Sequence, residues 1–340
     1  MKKYKILSID GGGIRGLLPA MILQEMEKRL RLRSGNPQAR IADYFDMIAG
    51  TSAGGMLACS MLYKHDGKKM DCSTAVSLFE SGGPRIFKKN GFNQLRRMFD
   101  AMYPAKNIEA VLVEVFGESQ LSESDTEGLI TAYDITNREA VLFDTDSAQR
   151  DANRDYRLAD IARATSAAPT YFPVAEVTSM GGTDKCLVDG GIYANDPSLC
   201  AIIEAKKKVW KVNNRAPKIS DMYVVSIGTG RVSKSYLYDK AKGWGLISWA
   251  LPVIDILQSS GAEVISYQVR KLFEAEECQN QYVRLTPEIG NASDEMDDGS
   301  LKNIQALKES ALNYIQTHSA ELDKVIDDLI DSKNHNVCPA

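Results

Sequence analysis

"DYFDMIAGTSAGGMLACSMLY", Asp43 to Tyr63, decides how the chain folds. An apolar run ending at Ala49 reads as a strand, and Met56 onward reads as a helix. Between them Gly50, Ser52 and Gly54 form GxSxG, the pattern of a nucleophile elbow. Such a turn is sharp and its serine backbone is strained, so its neighbours must be small. Here they are Gly50, Ala53, Gly54 and Gly55. Ser52 Oγ then stands at the C-terminal end of the strand, with the Ala53 N–H at the start of the helix. The plainer alternative is a tight structural turn capped by Ser52.

Upstream, "YKILSI" (Tyr4–Ile9) reads as a buried strand, and Leu17 to Leu32 as a helix with Leu18, Ile22, Met26 and Leu30 at four-residue steps. Two strand–turn–helix units in succession predict an α/β fold: a single domain with a mostly parallel central sheet flanked by helices. "LITAYDIT" and "EAVLFDT" read as paired strands, and "KCLVDGG" as a strand ending at Asp189. Asp196 reads as a helix N-cap with Pro197 at the first helical position. A C-terminal helix is expected over Ser300–Leu329. The domain is expected to span 1–331, leaving 332–340 as a disordered tail.

The first turn, "DGGGIRG" (Asp10–Gly16), satisfies GxGxxG through Gly11, Gly13 and Gly16. Against a dinucleotide site stand the Asp10 charge directly before the glycines and the basic "RLRS" where an acidic ribose ligand is wanted. A phosphate-binding Walker loop is excluded by the missing GK[ST]. What remains is a set of bare N–H groups at a helix start, suited to any negative charge, a transient oxyanion included. Parallel neighbouring strands end at one sheet edge, so Gly11–Gly13 and Ser52 are expected side by side. Arg15 adds positive charge there or braces the loop.

A serine nucleophile needs a base. The three histidines are His65, in a polar turn; His335, in the tail; and His318, in a long helical pattern. His318 gives the order Ser52, Asp189, His318 found in α/β-hydrolases, yet its helical setting and the early elbow argue against it. Asp189 is the other candidate, at a strand end before Gly190 and Gly191. A free aspartate is a weak base with a pKa of about 3.9, and partial burial would raise it. The plainer alternative is that Asp189 caps its own turn.

Composition narrows the class. Forty-four per cent of the 340 residues are hydrophobic and the net charge is −4, so the chain can bury a core and carries no concentrated basic face for nucleic acid. "EAKKKVWK" (Glu204–Lys211), the strongest basic cluster, reads as the solvated side of a helix or a membrane-facing patch. Six scattered cysteines form no CxxC, which argues against a disulfide scaffold or a zinc site, and no metal is expected. The N-terminal apolar stretch is too short for a signal peptide and no window reaches a membrane span, so a cytoplasmic protein is expected.

Together, "DGGGIRG", "GTSAGG" and "DGG" (Asp189–Gly191) resemble the patatin family of lipid acyl hydrolases, related to the catalytic domain of cytosolic phospholipase A2. "ATSAAPTYFP", "DGGIYANDP" and "VVSIGTG" support the resemblance, which runs from about Tyr4 to beyond Gly230. It implies a Ser–Asp dyad, with Ser52 as nucleophile and Asp189 as general base. It also implies an oxyanion hole at Gly11, Gly12 and Gly13 beside Arg15, and ester hydrolysis on membrane phospholipids or other glycerolipids with no cofactor. The family also holds storage proteins and regulated effectors; no residue here is assigned to a regulatory ligand or protein activator. The open alternatives are a non-enzymatic storage or binding protein and an esterase or thioesterase for soluble substrates. Finally, "KGWGLISWALPVIDIL" (Lys242–Leu257) crowds Trp244, Leu246, Ile247 and Trp249 together. Its glycines and Pro252 make its first part loop-like, and it reads as a core helix, a pocket wall or a lipid contact.

Overall fold

Strand β1 (Tyr4–Ile9) is buried on both faces, as a central parallel strand must be. Leu7 and Ile9 enter the larger core on one face of the sheet, and Tyr4 and Ile6 a smaller core on the other. The computed structural model describes residues 3–88, 100–209, 214–231 and 235–334. Within them the chain continues through β2 (Met47–Thr51), the short hairpin β3 (Lys64–His65) and β4 (Lys68–Lys69), and then β5 (Glu127–Asp134) and β6 (Glu139–Asp144). It proceeds to β7 (Ala175–Thr178), β8 (Asp184–Asp189), β9 (Met222–Ile227) and β10 (Tyr282–Leu285).

The main sheet runs β10-β9-β1-β2-β5-β8-β7, with β6 on β5. From β10 to β5 all pairs are parallel, whereas β6 and β8 join β5 antiparallel, and β7 joins β8 antiparallel. The sheet is therefore mixed, though mostly parallel. The reason is connection length: the few residues between β5 and β6, and between β7 and β8, allow only hairpins.

This topology sets up the site. β6 occupies one edge of β5 from Leu129 to Asp134. β2 and β8 must therefore share the other edge, β2 over Glu127–Thr131 and β8 over Ala132–Asp134. Thr51 pairs with Thr131, and Asp189 with the next residue, Ala132. The residue following Thr51 is thus delivered to the end of β8.

The helix Leu17–Ser34 buries Leu18, Ile22, Met26 and Leu30 completely, as its spacing predicts. Two expectations need correction. The C-terminal stretch forms two helices, Leu301–Thr317 and Ser319–Asn334, broken at His318. Residues 335–340 of the expected tail, His335 among them, lie outside the described residues. The segment from Leu246 is no loop but the start of a helix, Leu246–Ala275, that passes through Pro252. Its C-terminal half enters the smaller core through Val269 and Phe273, while its N-terminal half buries only Ile254 and Gln258. Among the described residues no helix is long and apolar enough to cross a membrane. In the basic cluster, Lys208 sits among Glu127 (2.9 Å), Asp146 (3.2 Å) and Asp144 (3.6 Å), so its charge faces carboxylates; Trp210 and Lys211 lie outside the described residues.

Candidate active site

Ser52 joins β2 to the helix Ala53–Leu62 with φ 53° and ψ −123°, a conformation that costs a non-glycine residue of order 1–3 kcal/mol. Its surroundings hold it there. The Ser52 N–H donates to Thr165 Oγ1 (2.8 Å), and its carbonyl accepts from the Met56 N–H (3.0 Å). The small neighbours are required by contact. A Cβ on Gly54 would lie 2.2 Å from the Ile9 carbonyl oxygen, and one on Gly50 would lie 2.3 Å from that of Gly54. Ala53 begins the helix, so its N–H is one of the first-turn donors without an intrahelical acceptor.

Asp189 ends β8 and is fully buried. Ser52 Oγ donates to Asp189 Oδ2 over 2.6 Å, and Asp189 Oδ1 accepts from the Gly191 N–H (2.7 Å). The same carboxylate therefore caps its own turn and receives the serine hydroxyl. Burial pushes the Asp189 carboxyl up to about 7, with both hydrogen bonds pulling the other way.

The glycine loop lies against this pair: a Cβ on Gly11 would be 3.0 Å from Ser52 Cβ. Its donors are not equivalent. The Gly11 N–H is already given to the Asn195 carbonyl (3.0 Å), and the Gly11 carbonyl accepts from Thr229 Oγ1 (2.6 Å). Among the described residues the N–H groups of Gly12 and Gly13 have no acceptor. The Gly11 N–H is thus spent holding the loop. Gly13 has φ +58°, and a Cβ there would strike the Met296 carbonyl oxygen, which also accepts from the Ile14 N–H (2.8 Å). Arg15 is buried beneath the loop, with Nε 3.4 Å from the Gly12 carbonyl and Nη1 without a partner among the described residues. Burial lowers its pKa, against the pull of Asp255, Asp294 and Glu295.

One cluster escaped the sequence reading. Asp10 forms a buried two-pronged ion pair with Arg284 of β10, whose Nη1 reaches Asp10 Oδ1 at 2.8 Å and Ser226 Oγ at 2.6 Å. Asp196 stands 3.4 Å from the same guanidinium. Its Oδ1 accepts from the Ser198 N–H (2.9 Å), but the helix Ser198–Ala205 has Pro197 as its N-cap, so Asp196 and Pro197 each sit one position earlier than the expected N-cap and first helical residue. Burial and Asp196 raise the Asp10 pKa, while Arg284 opposes them. The available signal was an arginine within the otherwise apolar "YVRL".

Ser52 faces a cleft walled mainly by Met56, Phe79, Ile86, Phe87, Ile108 and Phe172, with Gln258 of the long helix also on its lining. No described histidine lines it. His318 is occupied locally: its ring stacks on Tyr314 (4.1 Å between centroids) and Nδ1 lies 2.9 Å from Thr317 Oγ1. His65 lies on the hairpin, 3.6 Å from Glu123. Trp244 packs edge-on against Tyr236 and Trp249, and Leu246 and Ile247 are 94% and 74% exposed.

Residues 7–202 match the family of patatin-like phospholipases, more than half of the chain. This chain belongs to that family. Among its relatives is Patatin-2-Kuras 3 of Solanum tuberosum, 33% identical over 89% of this chain and 81% of its own. Patatin-like protein 2 of Oryza sativa subsp. japonica is 30% identical over 90% and 82%. A third, from Solanum tuberosum, bears the name "Probable inactive patatin-3-Kuras 1" and is 31% identical over 93% and 87%. The matched region of this patatin-like chain holds the glycine loop, the elbow and Asp189, whereas Arg284 and the long helix fall beyond it.

Proposed function

We propose that the protein is a serine acyl hydrolase that cleaves carboxylic esters of phospholipids or other membrane glycerolipids through an acyl-enzyme on Ser52. The observation that carries this reading is the 2.6 Å Ser52–Asp189 hydrogen bond at the wall of an apolar cleft. Asp189, raised to about 7, takes the serine proton as Oγ attacks the ester carbonyl. The developing oxyanion is met by the N–H groups of Gly12 and Gly13, which have no acceptor among the described residues, together with the Ala53 N–H; one such donor is worth roughly 3–4 kcal/mol in the transition state. Gly11 supports that loop, and Arg15 braces it through the Gly12 carbonyl. Asp189 then gives its proton to the departing alcohol, the carbonyl double bond re-forms, and the acyl group stays on Ser52. A water molecule, deprotonated by Asp189, attacks the acyl-enzyme; Ser52 recovers its proton and a fatty acid leaves. The apolar walls suit the acyl chain.

One relative carries the name "Probable inactive patatin-3-Kuras 1", so turnover here does not rest on family membership. What supports activity here is the intact pair together with the Gly12 and Gly13 N–H donors. The test is mass spectrometry of phosphatidylcholine vesicles incubated with the protein and with Ser52→Ala. Fatty acid released by the first and not the second supports the proposal. No product, or equal product from both, removes it.

A further inference from the structure

The helix Leu246–Ala275 is amphipathic the wrong way round in its N-terminal half. At helical spacing, Leu246, Trp249, Val253, Ile256 and Leu257 all face solvent. The opposite face buries Ile254 and the polar Gln258. Leu246 is 94% exposed, and Ile247 beside it 74%. From Gly243 to Ala262 the only charged residue is Asp255, and it accepts a hydrogen bond from the Tyr236 hydroxyl (2.8 Å). Scattered exposed apolar residues are ordinary, but a continuous uncharged stripe on a helix is not.

The helix that carries the stripe also borders the cleft. Gln258 lines the cleft and lies close enough to Gly191 that a Cβ there would meet its Nε2 at 3.1 Å. The helix therefore touches the Ser52–Asp189 site on one side and presents apolar residues on the other. Its N-terminal end carries a Tyr236–Trp244–Trp249 cluster and the exposed Lys240 and Lys242, the latter paired with Asp239. Tryptophan favours the boundary between water and hydrocarbon, and lysine complements headgroup phosphates.

We infer that the N-terminal half of this helix is a docking surface for a lipid layer, lying in the plane of the interface with Leu246, Ile247, Trp249 and Val253 among the acyl chains. The inference rests on the proposed reaction for its choice of occupant: the substrate of the neighbouring cleft resides in such a layer. The attraction comes from apolar burial rather than charge, so salt leaves it in place.

The test uses full-length Ser52→Ala protein floated with phosphatidylcholine vesicles, so that docking is read without turnover. The parent should float and keep floating at high salt, and its tryptophan emission should shift to the blue. Adding Leu246→Glu with Ile247→Glu should lower vesicle affinity at least tenfold with the thermal melt unchanged, since both side chains already face water. In the active protein the same two changes should cut vesicle hydrolysis at least tenfold and leave hydrolysis of a short soluble ester within twofold. A parent that does not float, a variant that floats equally well, or binding abolished by salt overturns the inference. Dimers in sedimentation that the variant splits, with flotation unchanged, would assign the stripe to a second copy instead. A protein that floats yet cleaves no ester supports the surface and removes the proposed reaction.

Discussion

Two of the elements that border the cleft are built on opposite plans, and each serves as a wall. The sheet-edge wall holds Ser52, Asp189 and the glycine loop. There, backbone approaches backbone so closely that added methyl groups at Gly50 and Gly54 would overlap carbonyl oxygens. The helix wall contributes Gln258 and otherwise turns leucine, isoleucine and tryptophan outward. One wall fixes atoms; the other leaves side chains uncovered. Under the proposed function the contrast follows from what each would meet. A proton transfer needs groups held to fractions of an ångström, whereas a fluid surface needs only area and a lack of charge.

Mutations should separate the walls. Removing the nucleophile with Ser52→Ala is expected to abolish turnover on every ester, a loss on the order of a millionfold. Asp189→Asn keeps the shape and removes the base, so kcat on a soluble ester should fall about 10²–10⁴-fold. Its effect on stability has a definite sign. The Asp189 pKa rises from 3.8 unfolded to about 7 folded, so folding favours the protonated acid. The wild type therefore loses stability as pH climbs from about 4 to about 7, and the loss is complete above that. Asp189→Asn should escape this loss, so its thermal melt should gain on wild type between pH 5 and pH 8. A constant difference between the two melts would mean that the carboxylate is not desolvated.

Behind the sheet-edge wall, Arg284→Met would leave the Asp10 and Asp196 carboxylates buried without a counter-charge. Breaking such a pair costs about 3–5 kcal/mol, and urea unfolding reads it directly. At the bottom of the scale stands His318→Ala. It should leave soluble-ester kcat/KM within twofold, because the ring is spent on Tyr314 and Thr317. A folded but inactive His318→Ala protein would replace Asp189 with a histidine in this account.

The sheet-edge wall was legible because its signals are local. Glycines and a serine between a strand and a helix state their own backbone geometry, and Asp189 at a strand end lies where β8 takes over the edge of β5 from β2. The antiparallel strands were legible in part, since "LITAYDIT" and "EAVLFDT" are too close in sequence for a crossover. Arg284 was hidden because its partner Asp10 lies 274 residues away, and no local pattern couples them. The fate of the Gly11 N–H was hidden too, because the Asn195 carbonyl that takes it comes from a distant turn. The long helix misled for a different reason. Glycine and proline suggested a loop and apolar residues suggested a core, yet Gly245 precedes the helix, Pro252 is carried within it, and solvent lies where the core was expected.

The central claim is that a buried carboxylate, not an imidazole, activates Ser52. The rate at which a fluorophosphonate labels Ser52, followed by mass spectrometry across the pH scale, tests it most directly. The account predicts that labelling of the wild type rises through an apparent pKa of about 7 and that Asp189→Asn removes the rise along with most of the rate. Labelling at Ser52 that proceeds as fast in Asp189→Asn, or that turns on near the free-aspartate value of about 3.9, would contradict it.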